Sequence, residues 1–202
     1  MNVSKEIVFA TSNSGKVGTL RRRTEEAGLD VVITQMPLEL SEIQADTATE
    51  VAKSKALQAY GQLKRAVLVD DSAFHIDALG GFPGPYIKYM LETIGIEGIM
   101  AIMEGRESRG AYFLSSLVFI DDQGEMHVFE DAPYYGTIAD SIDEFHSELA
   151  WSALSKIFIP TGSDKVLARM THEDHEHIDK KDKHANSYGH FVHWLGLDSD
   201  ED

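Results

Sequence analysis

The amino-acid sequence predicts an α/β fold in which helices flank a β-sheet, and two observations predict this class. An apolar run at Glu6–Thr11 is followed by a polar turn and a segment of helical periodicity. A second apolar run, Ala66–Val69, follows the strongly helical segment Thr47–Lys64. The alternation of short apolar runs with helical segments is typical of α/β proteins. At 202 residues, the chain is long enough for one sizeable core or for two small lobes that share one sheet.

The composition is that of an ordinary globular protein, with 43% hydrophobic and 26% charged residues. The chain has no cysteine, which excludes disulfides, thiolate nucleophiles and cysteine metal ligands. Residues 1–15 lack the basic start and apolar core of a signal peptide. No apolar run approaches the roughly 18 residues of a membrane helix. We therefore expect a cytoplasmic protein with no membrane partner.

A formal net charge of −16 makes the surface strongly acidic. Such a surface repels nucleic acid, because nucleic-acid binding depends on Lys and Arg that neutralise phosphates. We therefore expect no nucleic-acid partner. Small basic clusters lie at Arg21–Arg23 and at Lys180, Lys181 and Lys183, so an anionic substrate would depend on these few cations and on a bound metal. We expect Asp198–Asp202 to form a solvated acidic tail.

The polar turn Thr11–Lys16 precedes a helix that we expect over Val17–Gly28. It offers hydroxyls, an amide, backbone N–H groups and a lysine. Because the N-terminus of a helix attracts anions, phosphate binding is one interpretation. The spacing of a Walker A loop is absent. The alternative is a simple capped helix start, since Thr, Ser and Asn favour such caps.

The next segments contain two candidate functional residues, Glu42 and Lys55. Val31–Met36 predicts a second strand, and the irregular stretch Leu40–Gln44 that follows contains Glu42. Within the helical segment Thr47–Lys64, Lys55 lies beside apolar positions. A lysine in that place is either drawn toward a site or extends along the apolar surface with its charge in water, and the second case is the more common.

Two adjacent carboxylates, Asp70 and Asp71, follow Ala66–Val69, where we expect a buried strand to end. Ligands of open α/β sheets bind beyond the carboxyl ends of strands. The Gly- and Pro-rich stretch Ala78–Tyr86 indicates a backbone that another group approaches closely. These features favour a metal or acid–base site. A solvated Asp-Asp turn explains the two acids equally well when they are taken alone.

The rest of the chain predicts further elements and one histidine-rich stretch. Helices are expected at Pro83–Ile94, Ile96–Met103, Ile142–Ser155, Thr161–Met170 and about Asp182–Leu195. Strands are expected at Ala111–Ile120, Met126–Glu130, Tyr134–Ala139 and Ile157–Pro160. His172, His175 and His177 lack the spacing of an H-E-x-x-H zinc motif, so we expect a mobile polar loop there and not a metal site.

Five stretches of the chain form a series with a characteristic order and spacing. They are T-S-N-S-G-K at Thr11–Lys16, L-S-E-I-Q at Leu40–Gln44, V-D-D-S at Val69–Ser72, A-L-G-G-F-P-G-P-Y at Ala78–Tyr86, and Ile157–Met170. The series resembles the T-x-N-x-x-K, L-P-E-I-Q, E/D-D-S/T, A-L-G-G-x-P-G-x-Y and I-F-x-P motifs of the inosine triphosphate pyrophosphatase family, also called the Ham1-like family. The resemblance covers residues 6–170 or so.

This resemblance implies an elongated two-lobed fold around a long central mixed β-sheet with flanking helices. Members of the family hydrolyse ribo- and deoxynucleoside triphosphates to a monophosphate and pyrophosphate, and they prefer inosine and xanthosine triphosphates. They use Mg²⁺ and are usually homodimers. The resemblance therefore implies a nucleoside triphosphate substrate, a Mg²⁺ cofactor and a homodimer. It also implies a single domain over residues 1–197, followed by the acidic tail 198–202.

The resemblance also assigns roles to residues at matching positions. It implies that Asp71 and Glu42 are catalytic, and that the metal ligands are Glu42, Asp70 and Asp71. The positions that contact substrate in the family are matched by Thr11, Asn13, Lys16, Lys55 and Ser72. The chemistry is consistent with these residue types, since a triphosphate needs its charge neutralised and a water molecule aligned for in-line attack.

The first base-recognition motif of the family is rewritten in this chain. The family's G-F-G-W/Y-D, which precedes I-F-x-P, corresponds here to Trp151–Lys156. Leu154 occupies the aromatic position and Ser155 occupies the Asp position. Trp151 is a candidate substrate-binding residue, as a shifted substitute for the missing aromatic.

The second base-recognition motif, a C-terminal S-H-R, is also changed. One alignment places Lys180 and Lys181 at the His and Arg positions, which makes them candidate substrate-binding residues, and Asp182–His184 is a competing alignment. Because rejection of a wrong base depends on matched buried polar groups, we expect a pyrophosphatase with altered or relaxed base selectivity. The alternatives are a degenerate nucleotide-binding or sensor protein and a hydrolase of another phosphorylated small molecule. Retention of Glu42 and Asp71 argues against a pure binder.

Overall fold

The structure, a computed structural model, describes residues 6–145, 152–171, 173–174 and 186–199. The chain forms two compact units. The first contains Met1–Asp71, Ser115–Ala132 and His184–Asp202, and the second contains Ser72–Leu114 and Pro133–Lys183. Among the helices of the described residues, none has both the length and the apolar character that crossing a membrane requires.

The elements confirm the predicted α/β class with a mixed sheet and flanking helices. The strands are β1 (Glu6–Phe9), β2 (Val32–Gln35), β3 (Val67–Ile76), β4 (Pro83–Gly84), β5 (Gly110–Ile120), β6 (Met126–Glu130), β7 (Tyr134–Ile138) and β8 (Phe158–Pro160). The helices are α1 (Ser14–Glu26), α2 (Ala48–Leu63), α3 (Ile87–Thr93), α4 (Gly95–Met103) and α5 (Ser187–Ser199). β3 and β5 each contribute residues to both units.

In the first unit, β1 pairs in parallel with β2 and with β3, and β5 pairs antiparallel with β6. Side chains alternate between the two faces of a strand. Ile7 and Phe9 of β1 therefore pack with residues of α1 and α5, whereas Val8 packs on the other face with residues of α2. The residues of α2 that are fully buried against this face are small: Ala52, Ala56 and Ala59.

In the second unit, β4 pairs antiparallel with β3, β5 with β7, and β7 with β8. Its core contains an aromatic cluster in which the Phe113 ring centroid lies 4.6 Å from that of Phe74 and 4.9 Å from that of Phe158. The buried faces of α3 and α4 complete this core with Ile87, Met90, Ile96, Ile99 and Met103. Each unit thus has its own hydrophobic core.

β3 is longer than the sequence predicts. We expected the strand to end at Val69, but β3 includes both Asp70 and Asp71 and runs to Ile76. It continues because Phe74 and Ile76 are buried and because β4 provides ladder partners for this part of the strand. The two acids therefore lie within a strand and not in a turn.

Two helices have an end that differs from the prediction. α1 starts at Ser14 instead of Val17, because the Asn13 side chain caps it. α5 covers Ser187–Ser199, so it extends past the predicted end at Leu195. The predicted start of that helix, at residues 182–185, lies outside the described residues.

Two further helix predictions are wrong over the residues that the structure describes. Of the segment Ile142–Ser155, residues 142–145 are not helical, and only a 3₁₀ turn forms at Ala153–Lys156. The Asp143 N–H donates to the Lys156 carbonyl oxygen over 3.0 Å, a backbone bond between the two ends of the segment that one continuous helix does not allow. Of Thr161–Met170, only Leu167–Arg169 forms a 3₁₀ turn. Residues 146–151 lie outside the described part of the chain.

Candidate active site

The loop between β1 and α1 is shaped by its own polar side chains. The Asn13 Oδ1 atom accepts the N–H groups of Gly15 and Lys16 at 3.0 and 3.2 Å, which caps the helix. The Thr11 hydroxyl oxygen accepts the N–H of Asn13 at 3.1 Å. Both side chains act as acceptors in these bonds, so the Thr11 O–H and the Asn13 NH₂ keep the capacity to donate to an anion.

A side chain from the neighbouring strand also holds this loop. Gln35 of β2 donates from Nε2 to the Thr11 carbonyl oxygen at 3.2 Å. Gln35 was not predicted from the sequence, because no motif includes it and because the contact requires the parallel pairing of β1 with β2. The loop is thus fixed in shape by α1 and by β2.

Lys16 extends from the first turn of α1 to Asp70 in β3. The Lys16 ammonium forms an ion pair and hydrogen bond with Asp70 Oδ1. The Lys16 side chain is 28% exposed, whereas the Asp70 side chain is only 2% exposed. Asp70 is therefore a buried carboxylate that holds a partly exposed cation.

The second oxygen of Asp70 is bound from the C-terminal helix. The Tyr188 hydroxyl, in the first turn of α5, donates to Asp70 Oδ2 over 2.9 Å. Burial of the Tyr188 phenol raises its pKa well above the ordinary value, and the neighbouring Asp70 charge raises it further. The phenol therefore keeps its proton and remains a donor. Tyr188 was not among the residues that the sequence pointed to.

Lys55 forms a second cationic centre on the other face of the sheet. Its Nζ atom lies 3.1 Å from Asp71 Oδ2 and 3.2 Å from Glu42 Oε1. Burial of the ammonium lowers its pKa, but the Asp71 and Glu42 carboxylates together raise it by more, so the pKa of Lys55 is above its ordinary value. Lys55 is therefore charged at neutral pH and lies between two acids instead of extending into water.

The loop that carries Glu42 is fastened to α2. The Ser41 N–H donates to Gln58 Oε1, and Gln58 Nε2 donates to the Ser41 carbonyl oxygen, each over 2.8 Å. α2 itself starts with a capping box in which Thr47 and Glu50 bond each other's backbone N–H. These bonds attach the loop that carries Glu42 to α2, the helix that carries Lys55, and the role of Gln58 was not predicted from the sequence.

The acids beside Lys55 are suited to a magnesium ion. The described residues contain no group of three or more His, Asp or Glu side chains that would hold a metal by themselves. Glu42 and Asp71 nevertheless direct carboxylate oxygens at one cation, the Lys55 ammonium. Mg²⁺ typically binds through one or two carboxylates together with substrate phosphates and water, so this pair fits the ion.

The structure brings seven of the predicted site residues together in the first unit: Thr11, Asn13, Lys16, Glu42, Lys55, Asp70 and Asp71. Ser72 is the next residue of β3 and the first of the second unit. Trp151, Lys180 and Lys181 lie outside the described residues, as do His172, His175 and His177.

The two described positions of the rewritten base motif are buried in the second unit. Leu154 and Ser155 are each 2% exposed. Leu154 packs in the hydrophobic core of that unit, and the Ser155 hydroxyl donates to the Ser152 carbonyl oxygen over 2.7 Å. Neither side chain presents a polar group to the surface.

Comparison with known proteins gives consistent results. Residues 7–187 match the model of the Ham1 family. The chain is 34% identical over 189 residues to the dITP/XTP pyrophosphatase of Thermococcus kodakarensis, covering 94% of this chain and 96% of that protein. It is 31% identical over 196 residues to the inosine triphosphate pyrophosphatase of Kluyveromyces lactis, covering 95% and 98%. The Staphylococcus aureus Ham1 protein has a similar fold, with a TM-score of 0.75 at 22% identity, covering 96% of this chain and 99% of that one.

Proposed function

The chain belongs to the Ham1 family, and we propose that it is a nucleoside triphosphate pyrophosphatase that produces a nucleoside monophosphate and pyrophosphate. The names of the relatives from Thermococcus kodakarensis and Kluyveromyces lactis support this proposal. The observation that carries it is the convergence of Glu42 and Asp71 on Lys55. Two carboxylates at one place could hold a divalent ion against the phosphates, which favours hydrolysis over a metal-free binding role.

The loop Thr11–Lys16 is proposed to hold the phosphate chain. The Thr11 hydroxyl and the Asn13 amide are donors whose positions are already set by the capping bonds. Lys16 and Lys55 add positive charge in a protein whose net charge is −16. Preformed donors lower the barrier because they need no reorganisation when charge develops on the phosphate oxygens.

Glu42 and Asp71 are proposed to hold Mg²⁺ and to position the attacking water. When bound, Mg²⁺ neutralises phosphate charge and makes a water molecule easier to deprotonate. The Asp71 carboxylate is proposed to accept the proton of that water, and Glu42 helps to fix the site. Lys55, held by both acids on α2, is proposed to contact the phosphates.

Base selectivity is proposed to be altered or relaxed relative to the family. The support is the sequence, which has Leu154 and Ser155, both buried, where the resemblance implies an aromatic ring and a carboxylate for base recognition. A site that lacks matched polar partners discriminates weakly between bases. A homodimer and a cytoplasmic location are part of the same proposal, and light scattering of the purified protein tests the dimer.

The proposed function is tested by analysing the products formed from a panel of triphosphates. The panel contains ATP, GTP, CTP, UTP, ITP, XTP and their deoxy forms, each with Mg²⁺ and each with EDTA. We expect equal amounts of monophosphate and pyrophosphate from several members, and none with EDTA. A folded protein that releases no pyrophosphate from any of them would refute the proposal, and tight nucleotide binding without release would favour the sensor alternative.

A further inference from the structure

We propose that Asp70 and Tyr188 form a buried anchor that positions Lys16 for a triphosphate, and that Asp70 is not a metal ligand. The proposal rests on the function proposed above and adds Tyr188 as a positioning residue. It also separates Asp70 from Asp71, although the two are neighbours in the chain.

The first reason is that both oxygens of Asp70 are already engaged by protein groups. Oδ1 is bound by the Lys16 ammonium, and Oδ2 accepts the Tyr188 hydroxyl over 2.9 Å. With its side chain only 2% exposed, Asp70 is nearly sealed from water. A divalent ion that brings its own water molecules would have to displace one of these partners.

The second reason is that the tyrosine is itself held in place. Asn186 Oδ1 accepts the N–H of Gly189 at 3.0 Å and the Arg23 guanidinium at 2.7 Å, which caps α5 and ties it to α1. The Ser187 N–H is hydrogen bonded to the Asp131 carboxylate. Bonds on either side of Tyr188 therefore fix the first turn of α5.

The third reason is the cost of breaking the anchor. A buried charge that loses its partner is strongly destabilised, so Asp70 keeps the Lys16 ammonium close to β3. An ammonium has three donors, and those not used by Asp70 are available to phosphate oxygens. Fixing a cation before the ligand arrives improves affinity, because less side-chain entropy is lost on binding.

The test compares Tyr188→Phe with Tyr60→Phe, a control in α2 that has no part in the anchor. Tyr188→Phe removes one hydrogen bond to a charged group, so we expect KM for the best triphosphate to rise about tenfold while kcat stays within about twofold. Tyr60→Phe leaves both unchanged. The proposed effect of Tyr188 on KM depends on Lys16. In a protein that already carries Lys16→Met, Tyr188→Phe should therefore cause no further rise in KM. Loss of packing alone would raise KM in both backgrounds, so the double variant separates the two explanations.

A second variant and a second readout keep the test decisive. Asp70→Asn should raise KM in the same way and leave the Mg²⁺ concentration for half-maximal activity unchanged, whereas loss of a metal ligand would increase that concentration. Calorimetric titration with pyrophosphate in EDTA measures the anion site without turnover, and Tyr188→Phe should weaken binding about tenfold.

The outcomes separate the two proposals. If the wild-type protein hydrolyses triphosphates and Tyr188→Phe has an unchanged KM, the anchor is refuted and the function stands. If the wild-type protein hydrolyses no triphosphate, the proposed function is refuted. The anchor is then tested by comparing the affinities of the wild-type protein and of Tyr188→Phe for pyrophosphate. Weaker binding by Tyr188→Phe supports the anchor, and equal binding, or none by either protein, overturns it.

Discussion

Lys16 and Lys55 both neutralise carboxylates of the first unit, but the partners of the two lysines differ in exposure. The partner of Lys16 is the buried Asp70, whose second oxygen is bound by Tyr188. The partners of Lys55 are Asp71, with a side chain 15% exposed, and Glu42, with a side chain 42% exposed. The first centre is closed by the protein, and the second remains accessible to a ligand.

The difference follows from the geometry of β3. Successive residues of a strand point to opposite faces of the sheet. Asp70 points to the same face as Leu68, which packs with residues of α1 and α5. Asp71 points to the same face as Val69, which packs with residues of α2. Two adjacent acids in a turn would share one environment, whereas two adjacent acids in a strand do not. The strand thus places the Asp70 and Asp71 side chains on opposite faces of the sheet, with different partners.

The largest effect is expected from Asp71→Asn. Loss of the proposed proton acceptor should lower kcat by about 10³-fold or more, since general base catalysis contributes about 10²–10⁴-fold. The circular dichroism spectrum should match that of the wild-type protein. Retention of more than a tenth of the wild-type kcat would refute the assignment of Asp71.

Replacing the two lysines sharpens the comparison. Lys55→Met should lower kcat/KM about 10²-fold, the usual cost of one lost donor to the transition state. It should also lower the Mg²⁺ concentration for half-maximal activity, because Glu42 and Asp71 lose a competing cation. Lys16→Met should raise KM and leave the Mg²⁺ requirement unchanged. Equal shifts of the Mg²⁺ requirement in both variants would break the distinction between the two centres.

A smaller effect concerns Asp131, which follows β6 and whose carboxylate accepts the Ser187 N–H at the start of α5. Burial raises the pKa of Asp131 above its ordinary value near 3.8, and the opposing bond from the Ser187 N–H is weaker. The folded protein therefore holds this proton more tightly than the unfolded chain. The free energy of unfolding consequently falls as pH rises from the ordinary pKa through the raised one.

Asp131→Asn keeps an oxygen acceptor and removes the ionisation. We therefore expect a higher melting temperature than the wild-type protein near neutral pH, with no difference well below the ordinary pKa of Asp. Thermal unfolding at both pH values measures this. A variant that melts lower at neutral pH would mean that attraction of the carboxylate to the N-terminus of α5 outweighs its burial.

The smallest effect is expected from Thr47→Ala, which removes the cap of the helix that carries Lys55. The free energy of unfolding should fall by about 1 kcal/mol, and activity per folded molecule should not change. Denaturant titration followed by circular dichroism gives the first quantity. A large loss of kcat would show that the position of Lys55 depends on this cap.

The sequence pointed to the polar loop Thr11–Lys16 and to the acids through local motifs, and to Lys55 through the resemblance to the Ham1-like family. The roles of these residues in binding and catalysis stay predictions. The sequence did not predict Gln35, Gln58 or Tyr188, since their roles depend on contacts between elements that are distant in the chain.

The prediction that β3 ends at Val69 was wrong because polar Asp70-Asp71 resembles a turn. Only the buried Phe74 and Ile76 beyond it, together with pairing to β4, show that the strand continues. The helix predicted over Ile142–Ser155 was wrong over the residues that the structure describes. The Asp143 N–H bonds the Lys156 carbonyl oxygen instead, and hydrophobic periodicity does not reveal such a contact.

The most direct test of the distinction between Asp70 and Asp71 is metal affinity. Binding of Mn²⁺, which like Mg²⁺ prefers oxygen ligands, is measured by electron paramagnetic resonance with a non-hydrolysable triphosphate bound. Asp71→Asn is expected to weaken Mn²⁺ binding by about tenfold or more, and Asp70→Asn is expected to leave it within about twofold of the wild-type protein. Equal weakening in both variants, or weakening in Asp70→Asn alone, would contradict the account.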